Sequence, residues 1–177
     1  MVEDKNFLTQ EQKDFISKII LSSDFPYYLN ISTIKDVDIN SHLNHVVLKR
    51  PEERNEEEPL FNSPHADSII EIFKSFIIKN RINCEELLRC SINLTYKTFD
   101  KKCPTHVDHD YSHKQLLIYL NDCKDKEAKT VVLDKTGKKI INKITPEQYK
   151  GVCFDSCPHY MIFPKKDIRV VLVYTFK

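Results

Sequence analysis

Two hydrophobic periods divide the chain. Near the N-terminus Phe15, Ile16, Ile19 and Ile20 recur at the three- and four-residue spacing of one helix face. Thr9 followed by Gln12 is the pairing of a capping box, so a helix is predicted from about Thr9 to Leu21. A second apolar stripe, Ile69, Ile70, Phe73, Phe76 and Ile77, follows Ser63-Pro64, an N-cap residue and a first-turn proline. It predicts a helix that ends near Asn80. Beyond it the pattern shortens. Leu88–Tyr96, Gln115–Leu120, Thr130–Leu133, Gly151–Phe154 and Ile168–Phe176 are short, rich in β-branched and aromatic residues, and separated by turn formers. Helices first and strands afterwards predict an α+β domain, with helices on one side of a largely antiparallel sheet or barrel.

The remaining stretches are more polar. Asp24–Leu48 mixes brief apolar runs with Asp, Asn and Ser, which suits short strands and turns. Arg50–Pro59, RPEERNEEEP, reads as an exposed acidic loop. Lys135, Lys138, Lys139 and Lys143 form a basic run of the kind a solvated hairpin carries. With glycine only at 137 and 151, Asn and Asp must serve many of the turns.

Composition narrows the classes of function. A chain of 177 residues fits one domain, with helical support over about 1–85 and a barrel core over about 88–177. A net charge of +1 and the lack of an aromatic-rich basic stripe argue against a nucleic-acid partner. The N-terminal stretch carries acids early and has no apolar signal core, and no run approaches the roughly 18 apolar residues of a membrane span. The expectation is a soluble, cytoplasmic protein with no membrane partner. Six cysteines without a C-x-x-C pair are expected to be reduced and mostly buried. The N-x-S/T triplets at Asn30 and Asn93 would matter only in a secretory compartment.

The candidate chemistry lies between Cys103 and Asn121, CPTHVDHDYSHKQLLIYLN. On an extended strand His106 and Asp108 leave the same face. One imidazole and one carboxylate are two thirds of a facial triad for non-haem iron(II), and His159 is the natural third ligand. The same donors suit zinc or manganese, so the ligands alone do not name the metal. Arg169 opens the run RVVLVYTF. An arginine there either faces outward to a surface acid or needs a buried anion, and a guanidinium grips a carboxylate through two parallel hydrogen bonds.

Taken in order, HVD, YLN, FDSCPHY and RVVLVYTF resemble the catalytic core of prolyl-hydroxylase-like Fe(II)/2-oxoglutarate-dependent oxygenases, the small phage and bacterial members above all. The resemblance spans about Leu88 to Phe176. It implies a double-stranded β-helix, a jelly-roll or cupin-like barrel, with N-terminal supporting helices. It also implies iron(II) on His106, Asp108 and His159, and the distal carboxylate of 2-oxoglutarate on Arg169. Tyr119 of the YLN element, and Tyr96 ahead of the metal histidine, stand where family tyrosines reach the 2-oxoacid. The implied reaction is a dioxygenase hydroxylation, in which O2 converts 2-oxoglutarate to succinate and CO2 while a substrate C–H bond is hydroxylated. The family's glycine-rich turn after YLN is replaced here by Glu127-Ala128-Lys129-Thr130.

The prime substrate is not named by these residues. A peptidyl proline is favoured by analogy, beside a free amino acid, a nucleotide or another small molecule. Two other readings are a non-catalytic metal-binding β-barrel module and a cupin-like dioxygenase that uses no 2-oxoacid. His109 and His113 lie close to the ligands in sequence without an assigned role.

Overall fold

Continuous apolar strands arise where both faces of a sheet are covered, and this chain builds such a sheet. The computed structural model describes residues 1–34 and 37–177. In chain order the elements are β1 (Val2–Asp4), α1 (Gln10–Phe15), β2 (Tyr28–Asn30), β3 (His42–Leu48), α2 (Ala66–Lys79), β4 (Leu87–Thr95), β5 (Lys114–Tyr119), β6 (Thr130–Leu133), β7 (Ile140–Ile144), β8 (Gly151–Asp155), β9 (His159–Met161) and β10 (Arg169–Phe176). Seven strands form one sheet in the order β1-β8-β5-β10-β4-β3-β2, and three form a second in the order β7-β6-β9. Every recorded pairing is antiparallel.

Strand alternation assigns the two faces of the larger sheet. On β10, Val170, Leu172, Tyr174 and Phe176 join a core with α1 and α2, whereas Val171 and Val173 join Leu117, Tyr119, Val132 and Val152 between the sheets. β5 divides the same way, with Leu116 and Ile118 outward and Leu117 and Tyr119 inward. Helix α2 buries Ala66, Ile69, Ile72, Phe73 and Phe76 against the outer face. Tyr174 Oη donates to Ile69 O at 2.6 Å, which ties that helix to β10.

Several expectations need correction. The capping box is present, with Gln12 N on Thr9 Oγ1 and Thr9 N on Gln12 Oε1. The helix then widens into π geometry over Ile16–Ile20, and Leu21 N bonds to Ile16 O. Ile16 and Ile20 stay buried while Ile19 turns toward solvent. Thr9→Ala is expected to cost about 1 kcal/mol, read as a lower urea midpoint at unchanged slope. Helix α2 begins at Ala66 and not at the Ser63-Pro64 pair, because Ser63 spends its Oγ and O on the turn leading in, at His65 N and Ala66 N.

The N-terminal part is less helical than predicted. It supplies β1, β2 and β3 to the larger sheet; β2 and β3 lie in the Asp24–Leu48 stretch read as short strands and turns, and the three-residue β1 has no hydrophobic period. Residues 35 and 36 of the Asp24–Leu48 segment lie outside the described residues. Pro51–Glu53 forms a 3-10 turn inside the acidic loop, and that loop is not idle, as the site below makes plain. The six cysteines are all free. No helix is long and apolar enough to cross a membrane, among the described residues. The Lys135–Lys143 run sits on the β6–β7 hairpin, where Asp134 Oδ1 accepts from Lys138 N and Lys139 N.

Candidate metal centre

A single backbone pairing creates the centre. His106 N donates to His159 O at 3.0 Å and His159 N to His106 O at 2.9 Å, so the two residues face each other in an antiparallel bridge. Directly opposed residues project to the same side, and the imidazole centroids stand 4.5 Å apart. Asp108, two residues on, brings its carboxylate to them. Donor atoms of His106, Asp108 and His159 all lie within 4.8 Å of one another.

The backbone also sets the tautomers. His106 Nδ1 meets Pro104 O and His159 Nδ1 meets Cys157 O, both at 3.0 Å. A ring nitrogen that bonds a carbonyl must carry the proton, so in a neutral ring Nε2 is the lone-pair donor. Burial lowers the His159 pKa although Asp108 works to raise it, so the neutral, ligating form is favoured.

Asp108 is divided between two tasks. Burial would raise its carboxyl, yet His159, Arg89, His106 and Arg50 hold it well below the usual carboxylate range. Its Oδ1 accepts from Arg50 Nη2 and Arg89 Nη1, each at 3.3 Å. Arg50 Nη1 also donates to the Asp108 main-chain carbonyl. Oδ2 is buried and has no hydrogen-bond partner, and it stands 3.9 Å from His159 Nε2. That gap is within the span of one ion ligated at about 2.0–2.2 Å from each atom. Two imidazole Nε2 atoms, that of His159 3.5 Å from Gln115 Nε2, and an orphaned carboxylate oxygen fit a divalent metal.

Neither arginine was anticipated as part of the site. Arg89 had a signal, since β4 alternates Cys90, Ile92 and Leu94 outward with Arg89, Ser91, Asn93 and Thr95 inward. Arg50 had none. It comes from the acidic loop expected to be free in solvent.

The triad opens into a cavity of about 1080 Å³, lined also by Arg169, Thr130, Arg89, Asn93 and Thr95. Arg169 is 4% exposed. Its Nη2 donates to Thr130 Oγ1 at 2.6 Å, Nη1 lies 3.4 Å from Met161 Sδ, and Nε has no partner. Its guanidinium lies 5.2 Å from the Tyr119 ring centroid. Among the described residues no carboxylate forms an ion pair with it.

The two tyrosines separate. Tyr119 is buried beneath Arg169 and donates its hydroxyl to Thr130 Oγ1 at 3.0 Å, so both side chains converge on one threonine. Tyr96 is not brought to the cavity. Thr95 pairs with Arg169 across β4 and β10 and takes the inward face, which turns Tyr96 the other way, to Ser41 Oγ at 3.0 Å. His109 and His113 are buried rather than solvated, against Thr175 Oγ1 at 2.8 Å and Tyr111 O at 2.9 Å.

No family model and no curated protein matches the sequence. Solved structures do. An oxidoreductase of the 2OG-Fe(II) oxygenase family from Burkholderia pseudomallei superposes with a TM-score of 0.75 at 18% identity, over 99% of this chain and 84% of that one. A prolyl hydroxylase from Trichoplax adhaerens, in complex with a hypoxia inducible factor oxygen degradation domain peptide fragment, gives 0.67 at 15% identity, over 99% and 82%. A prolyl-4-hydroxylase from Pseudomonas putida gives 0.60 at 12% identity, over 99% and 91%. The mostly antiparallel sheets around the His106, Asp108 and His159 cluster therefore have the fold of 2OG-Fe(II) oxygenases and prolyl hydroxylases.

Proposed function

We propose that the protein is an Fe(II)/2-oxoglutarate-dependent dioxygenase, which hydroxylates a substrate while 2-oxoglutarate is converted to succinate and CO2. One observation carries the reading. Arg169 is a buried cation on the wall of the cavity that holds the triad, with a hydroxyl and a thioether for company and no acid. A buried charge left unpaired is costly, so the site calls for an anionic ligand. A dicarboxylate suits it, one end at Arg169 and the other at the metal.

His106 and His159 would hold iron(II) through Nε2, and Asp108 through Oδ2. The ion supplies binding and activation of O2. Thr130 and Tyr119 fix the Arg169 fork, and Leu117, Val171 and Val173 shield the chamber from water. The alternating course of the chain supports a double-stranded β-helix. β4, β5, β8 and β10 lie in the larger sheet, and β6, β7 and β9, with the bridge at His106, in the smaller. A peptidyl proline is the favoured substrate by analogy with the prolyl hydroxylases whose fold it shares.

The test is the visible charge-transfer band of anaerobic protein mixed with Fe(II) and 2-oxoglutarate. The band is expected in the wild type, absent in His106→Ala, and in Arg169→Met to require at least tenfold more 2-oxoglutarate. Metal-loaded, folded wild type without the band would leave a structural-metal barrel or a cupin-like dioxygenase as the better account.

A further inference from the structure

We propose that Arg50 and Arg89 are positioning residues that hold Asp108 to one-oxygen ligation and so keep a coordination position open. The inference rests on the metal site of the proposed function and asks why its carboxylate is built as it is.

A carboxylate can offer a metal one oxygen or both. Asp108 Oδ1 is already taken by two guanidinium groups at 3.3 Å, from Arg50 and Arg89, while Oδ2 is bare and buried. Turning the carboxylate to chelate would require Oδ1 to leave both cations in a site where Arg89 is only 17% exposed. Arg50 adds a second restraint, because it also binds the Asp108 main-chain carbonyl. Its own position is secured by its neighbour. Arg54 donates Nε to Lys49 O at 3.1 Å and Nη2 to Leu88 O at 2.6 Å, pinning the loop to the start of β4, next to Arg89.

The count of ligands makes this matter. Two imidazoles and one carboxylate oxygen would give a six-coordinate ion three of its ligands. Three remain, enough for a two-point 2-oxoacid and one further ligand. A chelating carboxylate would leave two, and the 2-oxoacid would have to compete for them. The acidic loop therefore contributes to the centre through Arg50, at one remove from the metal.

Anaerobic cobalt(II) substitution reads the effect directly, because the cobalt(II) visible spectrum reports coordination number and geometry. The variants are Arg89→Ala, Arg50→Ala and the double alanine, with Arg89→Lys and Arg50→Lys as charge-retaining controls. Near-ultraviolet dichroism checks folding. The double alanine variant is expected to show an altered cobalt(II) spectrum without 2-oxoglutarate, cobalt(II) binding within threefold of wild type or tighter, and 2-oxoglutarate binding weakened at least tenfold. The lysine variants, which keep a donor, are expected to fall between.

A wild-type cobalt(II) spectrum in the folded double variant would overturn the proposal, whatever happens to the melting temperature. The 2-oxoacid reading is tested separately. Wild type that takes cobalt(II) but no 2-oxoglutarate defeats the dioxygenase assignment, while the spectral comparison between wild type and variants still decides the role of the arginines.

Discussion

Asp108→Ala is expected to abolish tight metal binding and to lower the melting temperature by about 10 °C. The substitution removes one of three ligands. It also leaves Arg50 and Arg89 side by side with no shared carboxylate. Stripping the partner from a buried charge costs about 3–5 kcal/mol. Arg50 recovers part of that because its side chain is 27% exposed. For a domain of this size each kcal/mol moves the midpoint by about 2–4 °C. Calorimetry and cobalt(II) titration check the two effects independently. Metal uptake equal to wild type would remove Asp108 from the ligand set.

The same carboxylate gives the apo protein an acid limb. Its folded pKa lies below the unfolded value of about 3.9. Its contribution to stability is therefore complete above that value and is lost as pH falls toward the folded pKa. Asp108→Asn should be less stable near neutrality and should lose stability less steeply below pH 4.

Gly151→Val is expected to destabilise the fold substantially at a position remote from the centre. Gly151 opens β8 on the face that meets α2. A Cβ there would stand 2.5 Å from Phe76 Cε2 and 3.0 Å from Phe7 Cε1. Those two rings pack edge to face at 4.9 Å, and Phe76 is fully buried, so neither has room to retreat. Overpacking of this kind costs about 1–3 kcal/mol, and valine adds two methyl groups to the first clash. A fall in melting temperature of about 10 °C is expected. Phe76→Leu in the same chain should return part of it, because the clash is with that ring. A valine variant as stable as wild type would show that β8 and α2 can separate without penalty.

The parts of the molecule legible in the sequence were those set by local pattern. Strands β4, β5, β6, β8 and β10 announce themselves because they are largely buried and apolar, β10 throughout, whereas β7, mostly exposed, and β9, three residues long, were not read. His106, Asp108 and His159 were nameable because short spacing and strand chemistry put them in register, and one backbone bridge brings the two histidines together. Tyr96 shows the limit of counting from a motif. Its offset was right for the resemblance, but the pairing of Thr95 with Arg169 turns it to the other face. Arg89 was readable from the alternation along β4. Arg50 was not, because its meeting with Asp108 depends on where a long acidic loop is pinned, and no local period encodes that. Of the N-terminal strands, β2 and β3 fall in the stretch read as short strands and turns, and β1 was missed because three residues offer no period to detect.

The short strands β1 and β2 have a bearing on how the protein behaves in a crowded solution. They form the two outer margins of the seven-stranded sheet. An open sheet margin is a template on which another chain can lay down backbone hydrogen bonds, and its reach scales with its length. Here each outermost strand has only three residues, while the long strands β4 and β10 are enclosed in the middle. Deleting β1 would uncover β8, and with it a longer, apolar margin of Gly151–Asp155. β1 thus covers the first three residues of β8, Gly151 to Cys153, with backbone hydrogen bonds.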